Sequence, residues 1–341
     1  MRSYRLYAYR LLIAVLLLLS FTFILPDPTS ADGAFFYGYY QDLIEPAQKA
    51  MIVYDGDIED LIIQVKFEGK VRDFAWVVPT PNYPDVEEAN RVLFVELSDL
   101  TRPPTDYGDI YYGCGCVAGG DRLAPKEGGV DIWEEKQVGN YSVTILSADD
   151  PQALIKWLGN NGYVFPDTAQ SIVEYYVENN WFFVAMKIDA STLEVDEEGR
   201  IYGAIEPVRL SFTSDTIIYP MKLSSLSAAK TKNEILLYIF ADYRIHLSGA
   251  SLEYAHCVEE KELDREYPTL AKIVDRKMFL SKLRIFLSAE EMNDDLLLYS
   301  ASNNKEYVQS ASLSPSPINQ FLLIIGVAFA LIYGRRIKGR R

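Results

Sequence analysis

Phe74-Ala75-Trp76-Val77-Val78-Pro79-Thr80-Pro81 is an aromatic and β-branched run that stops at two prolines. Phe, Trp and Val suit a pleated, half-buried surface, so the run reads as a buried strand. Proline has no N–H for a ladder and biases the residue before it toward extended geometry. The chain should therefore leave the sheet at Pro79 as a polyproline-like segment through Asn82, Tyr83 and Pro84. On the N-terminal side, Ala50 to Tyr54, a turn at Asp55-Gly56-Asp57, and Leu61 to Glu68 read as a hairpin whose second arm ends at Gly69. Three strands joined by short turns predict an antiparallel meander with the tryptophan strand at its centre.

Past Pro84, Asp85 and Glu88 form a capping-box pattern, and Val86, Ala89, Leu93 and Leu97 recur at helical spacing, so a helix is expected from Asp85 onward. Thr101 to Asp131 is rich in Gly, Pro and Tyr and reads as an irregular excursion. Val138 to Leu146 restores a strand. Asp149-Asp150-Pro151 caps a helix bearing Leu154, Trp157 and Leu158 that stops at Asn160-Asn161-Gly162. A second helix, Thr168 to Asn180, presents Ile172, Val173 and Tyr176, and the two are expected to form a helical hairpin. Strands follow at Trp181 to Ile188, Val208 to Phe212, Ile217 to Leu223 and Ile235 to Tyr243, and Ser288-Ala289-Glu290-Glu291 signals a short final helix. Trp76, inside its β-branched run, and Trp157, on a helical apolar stripe, are expected in the core.

Both termini carry targeting patterns. Arg2, Arg5 and Arg10 precede an apolar run from Leu11 to Leu25, and Thr29-Ser30-Ala31 supplies small residues for cleavage, so residues 1–31 read as a signal peptide. Residues 318–334 are uncharged and are followed by Arg335, Arg336, Lys338, Arg340 and Arg341. That pattern predicts a C-terminal transmembrane helix with a basic cytoplasmic tail over 335–341, preceded by a Ser/Pro stalk at 311–317. The expected body is a single extracytoplasmic domain, 32–310, on a single-pass protein of the cell membrane. The ends hold eight of the chain's 33 basic residues and one of its 48 acidic residues, which leaves 25 bases against 47 acids and a net charge of −22 on the body. So acidic a surface argues against nucleic acid and anionic lipid as partners. It suits solubility outside a membrane, or the binding of cations or basic partners.

In order along the chain, Phe74 to Pro79 with Pro81, Val138-Gly139-Asn140-Tyr141, Trp157-Leu158 with Asn161-Gly162-Tyr163, Phe183 to Lys187, Tyr219-Pro220, and Leu280 to Arg284 with Glu291-Met292 and Asp295 make a recognisable series. It resembles the exported family catalogued as domain of unknown function 2330, over nearly the whole body. The resemblance implies export and a shared fold; it supplies no activity and no catalytic residue. Family members often carry cysteines flanking an aromatic pair near the mature N-terminus, where this chain reads Asp32-Gly33-Ala34-Phe35-Phe36.

Cys114, Cys116 and Cys257 are the only cysteines, and His246 and His256 the only histidines. Cys114, Cys116, His256 and Cys257 offer four ligands of the kind zinc or copper takes, although one-residue spacing matches a zinc knuckle poorly. Outside the cytoplasm the plainer expectation is a disulfide from Cys257 to Cys114 or Cys116. A Cys/His hydrolase using Cys114 or Cys116 as nucleophile lacks any local signature. Asp55, Asp57, Glu59 and Asp60 suggest calcium, yet the twelfth position from Asp55 is Lys66, so the hand-type loop is not met. The aromatic run Phe35 to Tyr40 reads as core packing before it reads as a binding platform.

The expected fold class is therefore α+β: mostly antiparallel sheets with packed helices, including the helical hairpin, plus the C-terminal transmembrane helix. Two functions stand. One is a non-enzymatic module that binds a protein or cell-envelope partner; the other is an extracytoplasmic Cys/His hydrolase or metal-dependent enzyme. No catalytic residue and no cofactor is assigned.

Overall fold

Ala50, Met51 and Ile52 have no solvent exposure at all, which in a strand requires a layer on each face, since successive side chains point to opposite sides. The computed structural model supplies both layers. It describes residues 48–65, 75–103, 129–163, 169–188, 206–226 and 232–309. In chain order the elements are β1 (Gln48–Tyr54), β2 (Ile58–Val65), β3 (Ala75–Thr80), β4 (Asp85–Glu88), α1 (Val92–Leu100), β5 (Val130–Val138), β6 (Tyr141–Ala148), α2 (Pro151–Asn160), α3 (Gln170–Glu178) and β7 (Phe182–Ile188). There follow β8 (Val208–Thr213), β9 (Ile217–Tyr219), β10 (Asn233–Ala241), β11 (Ile245–His246), β12 (Ser251–Val258), α4 (Glu260–Glu266), β13 (Met278–Leu287), β14 (Leu296–Ser300) and β15 (Tyr307–Val308).

The strands make three sheets. The largest runs β15-β12-β13-β10-β1-β2-β8-β4, the second β3-β7-β6-β5, and the smallest β11-β14-β9. Every pairing is antiparallel except β1 with β10. Ile52, Leu61, Leu210 and Ile239 meet Val143, Ile145, Val184 and Met186 in one core between the eight- and four-stranded sheets. On the other face of the large sheet, Met51, Tyr238 and Leu280 lie under Leu93, Phe94 and Leu97 of α1 and Leu263 of α4. On the outer face of the four-stranded sheet, Leu146 and Phe183 lie under Leu154, Trp157 and Leu158 of α2 and Val173 and Tyr176 of α3. The architecture is a sheet sandwich with helices laid on its two outsides.

This corrects the α+β expectation: the described fold is mostly β, with fifteen strands and four α-helices of seven to ten residues. The proposed helical hairpin is corrected too. α2 and α3 are short single helices that bury their stripes against the four-stranded sheet, and the residues joining them, 164–168, lie outside the described set. The C-terminal transmembrane helix expected over 318–334 falls outside the described residues as well. Among those that are described, no helix is long and apolar enough to cross a membrane.

Local signals fare differently from long-range ones. The β1–β2 hairpin forms, its turn closed by the Asp55 carboxylate, which accepts from the backbone N–H groups of Asp57 and Ile58 at 3.0 and 2.8 Å. Those two bonds hold Asp55 below the usual carboxylate range, so its charge is spent on its own turn. α2 begins as expected, with Asp150 accepting from the N–H groups of Gln152 and Ala153 and Pro151 in the first turn. The meander does not form: β3 pairs with β7 and lies at the edge of the second sheet, where Pro79 costs no ladder bond on the open side. Asp85 to Glu88 is a strand paired with β8, Val86 buried and its neighbours exposed, and the helix starts only at Val92. Ser288 to Glu291 makes a turn rather than a helix, although Glu291 does accept from the Ser288 N–H at 2.8 Å.

Candidate functional site

Of the soft-ligand set, only His256 and Cys257 lie within the described residues. Cys114 and Cys116 fall outside the described residues, and so therefore does either disulfide with Cys257. His256 and Cys257 are consecutive on β12, where side chains alternate between faces. His256 lies on the Tyr254 side, its Nδ1 2.9 Å from Glu306 Oε1 and its ring centroid 6.1 Å from that of Tyr254. Cys257 is half-buried on the other face. It interacts with Lys277, whose ammonium is bound to Glu259 at 2.5 Å and is raised above its ordinary value, first by that bond and then by the sulfur. His246 belongs to the three-stranded sheet, opposite Tyr299. No group of three or more His, Cys, Asp or Glu is placed to hold a metal among the described residues.

Two buried carboxyls have perturbed protonation, the usual flag for a reactive centre. Glu59 on β2 is fully buried, and burial pushes its pKa well above the ordinary value; its Oε2 accepts from the Ile218 N–H at 2.9 Å. Asp295 is raised by burial, while its Oδ1 accepts from the Tyr176 hydroxyl at 2.6 Å and from the N–H groups of Met221 and Lys222 at 2.8 and 3.0 Å. Burial and Asp295 push the Tyr176 hydroxyl upward in turn. Each carboxyl ties layers together, Glu59 joining β2 to β9, and Asp295 joining α3 to the 3-10 turn Lys222–Leu226. A catalytic acid must reach substrate. The cavity lined by Gln48, Ile63, Trp76, Val78, Tyr219 and Leu223 has a volume of about 10 Å³, room for one water, and touches neither carboxyl.

The surface offers a better-built feature. Tyr83, Trp133 and Phe182 converge from three segments, with ring centroids 6.0 Å apart for Tyr83–Trp133, 5.7 Å for Tyr83–Phe182 and 5.5 Å for Trp133–Phe182, at interplanar angles of 57°, 87° and 65°. These are tilted and edge-on contacts of the kind aromatic quadrupoles favour. Tyr83 is carried by the Pro81–Pro84 connector that leaves the second sheet for β4. Trp133 sits where the β5–β6 register slips between Ile132 and Glu134, a bulge that lifts it out of the pleat. Phe182 begins β7.

Both polar ring ends are tied down. The indole Nε1–H donates to Ser147 Oγ at 2.9 Å, and the Tyr83 hydroxyl donates to Glu134 Oε2 at 3.0 Å. Partial burial and that bond push the phenol up to about 12. Trp133 nonetheless keeps 52 % of its surface exposed and Tyr83 43 %. Two large rings, oriented and left open to solvent, are a contact platform. The sequence reading missed it, treating Tyr83 as a connector and passing over Trp133. The available signal was a lone indole between Asp131-Ile132 and Glu134-Glu135-Lys136, a charged setting that a core tryptophan does not take.

The fold and this surface define a β-sandwich protein with helical outer layers and an oriented aromatic platform at its rim. The chain belongs to the bacterial family described as "uncharacterized protein conserved in bacteria" (DUF2330), which matches residues 29–295. No curated protein sequence matches it. A solved structure, the crystal structure of baculovirus P35, aligns with 76 % of this chain and 99 % of its own length at 10 % identity and a TM-score of 0.31; a likeness that weak carries no argument.

Proposed function

We propose that this protein is a non-enzymatic binding module working outside the cytoplasm, and that its contact surface is centred on Tyr83, Trp133 and Phe182. The observation that carries the reading is the exposure of Trp133 while its N–H is already bonded to Ser147. An indole normally buries its faces; one fixed by its polar end with more than half its surface in water is preorganised for a partner, because little rotamer entropy is left to lose on contact. The basic, apolar and small-residue order of residues 1–31 supports the location.

The test is site-specific crosslinking in living cells. p-Benzoylphenylalanine placed at position 83 of the full-length chain should give a discrete adduct on irradiation. The same group at Val95, equally exposed on α1, should give none. Absence of any adduct at 83, or equal adducts at both positions, rejects the surface.

A further inference from the structure

We infer that the platform takes a basic, extended peptide segment, with an Arg or Lys side chain laid over the exposed face of Trp133. This rests on the binding-surface reading and names the chemistry of its occupant. The rings have spent their donors: the Trp133 N–H is bonded to Ser147 and the Tyr83 O–H to Glu134. They therefore offer π faces, which carry negative quadrupole potential and favour cations, Trp most strongly. The polar groups around them add charge of the same sign.

Asp131 is exposed directly across the β5–β6 ladder from Ser147, on the face where Trp133 is anchored. Glu134 follows Trp133 in the chain and holds Tyr83, and Asp85 lies just beyond Pro84 in an exposed position. Among the described residues Lys136 is bonded to Asp85 at 3.2 Å and to Glu134 at 3.3 Å with only 11 % of its side chain exposed, so its charge is held inward, and Arg209, which also feels Asp85, is itself bonded to Asp60. An anionic ligand would meet carboxylates. A neutral glycan would find stacking surface but no donors on the rings. A single cation on an exposed ring gains only about fivefold in affinity, so a stable occupant must carry several, which a basic segment does.

The full-length chain should be titrated with hexa-arginine, hexa-glutamate and maltohexaose peptides and sugar at about 0.15 M salt, where distant charges are screened, using isothermal calorimetry. Hexa-arginine should bind saturably and the other two should not. Trp133→Ala should weaken hexa-arginine at least fivefold and Trp133→Phe less than threefold. Asp131→Asn with Glu134→Gln should also weaken it, whereas Glu260→Gln with Glu262→Gln on α4, which removes as much charge elsewhere, should change it less than twofold.

Equal binding by Trp133→Ala and the parent, or equal loss from the α4 pair, overturns the inference by showing general attraction to an acidic protein. Binding of maltohexaose in place of hexa-arginine also overturns it. If hexa-arginine fails while adducts at position 83 still form, the ligand class is wrong and the surface stands. If neither occurs, both fall.

Discussion

Glu59→Gln should make the protein's stability less sensitive to alkali. Glu59 is completely buried, its Oε2 receives one backbone N–H from Ile218, and its Oε1 has no hydrogen-bond partner among the described residues. Burial is the first cause of its raised pKa, Asp60 contributes repulsion, and the one hydrogen bond does not compensate. A carboxyl whose folded pKa lies above its unfolded value binds a proton more tightly in the fold. Its stabilising contribution is therefore complete below the unfolded value, near pH 4.5, and is lost as pH rises through the folded value. Between the two values a single group contributes a slope of about 1.4 kcal/mol per pH unit. Gln keeps an oxygen for the Ile218 N–H and cannot ionise. The stability difference between Glu59→Gln and the parent should therefore grow in favour of the variant by up to about 1.4 kcal/mol for each unit above pH 4.5, until it levels off at the folded pKa. Urea unfolding of both proteins at pH 5, 6, 7 and 8, with equal m-values, measures this. Taking the difference cancels other titrating groups, Asp295 among them, that do not couple to Glu59. A difference that stays flat with pH, or that grows in favour of Glu59, would refute the account of a carboxyl held neutral by burial.

Three further outcomes follow from the same structure. Trp157→Ala should cost about 3–5 kcal/mol by urea unfolding, because the indole is 9 % exposed and stacks on Tyr163 at 6.2 Å and 24°; Trp133→Ala, which gives up two ring contacts and one hydrogen bond at a half-exposed position, should cost less, about 1–2 kcal/mol. Asp295→Ala removes the acceptor of one hydroxyl and two N–H groups and should cost about 2–4 kcal/mol, whereas Asp295→Asn keeps an oxygen there and should lose less; equal losses would show that packing, not acceptance, matters. Gly139→Ala should destabilise by about 1 kcal/mol or more in thermal melts, since φ is +52° and the added Cβ would press on the Glu88 carboxylate; a Glu88→Ala background should relieve only the contact part of the loss.

What could be read from the sequence was what neighbours in the chain decide. Asp55 closes its own turn and Asp150 caps its own helix, so both features were legible residue by residue. The α+β reading failed because helix caps are local signals and strand partners are not. β1 needs β10, about 185 residues away, to become a central strand, and β3 needs β7. Strands with charged inner positions hid best. β12 and β13 carry Glu253, Lys282 and Arg284, which spoil an apolar alternation on paper yet pair between the two strands, Glu253 at the β12 bulge reaching both cations, with Lys282 Nζ 3.2 Å from Glu253 Oε2 and only 5 % of its side chain exposed. Once paired, such charges behave as interior residues. Period-two reasoning that scores each residue alone cannot see this. Asp85 to Glu88 went wrong the opposite way, its acidic residues passing for a helix cap when they are exposed positions of an edge strand around buried Val86. The aromatic platform has the same origin as these errors. Residues 83, 133 and 182 share no spacing, and they meet because the order β3-β7-β6-β5 brings the Pro81–Pro84 connector, the bulge in β5 and the start of β7 to one rim. A contact surface assembled by sheet order leaves only compositional traces in the chain, here an indole among carboxylates. An exposed tryptophan in a charged strand is therefore evidence about the site, and a buried one in an apolar strand is evidence only about the fold.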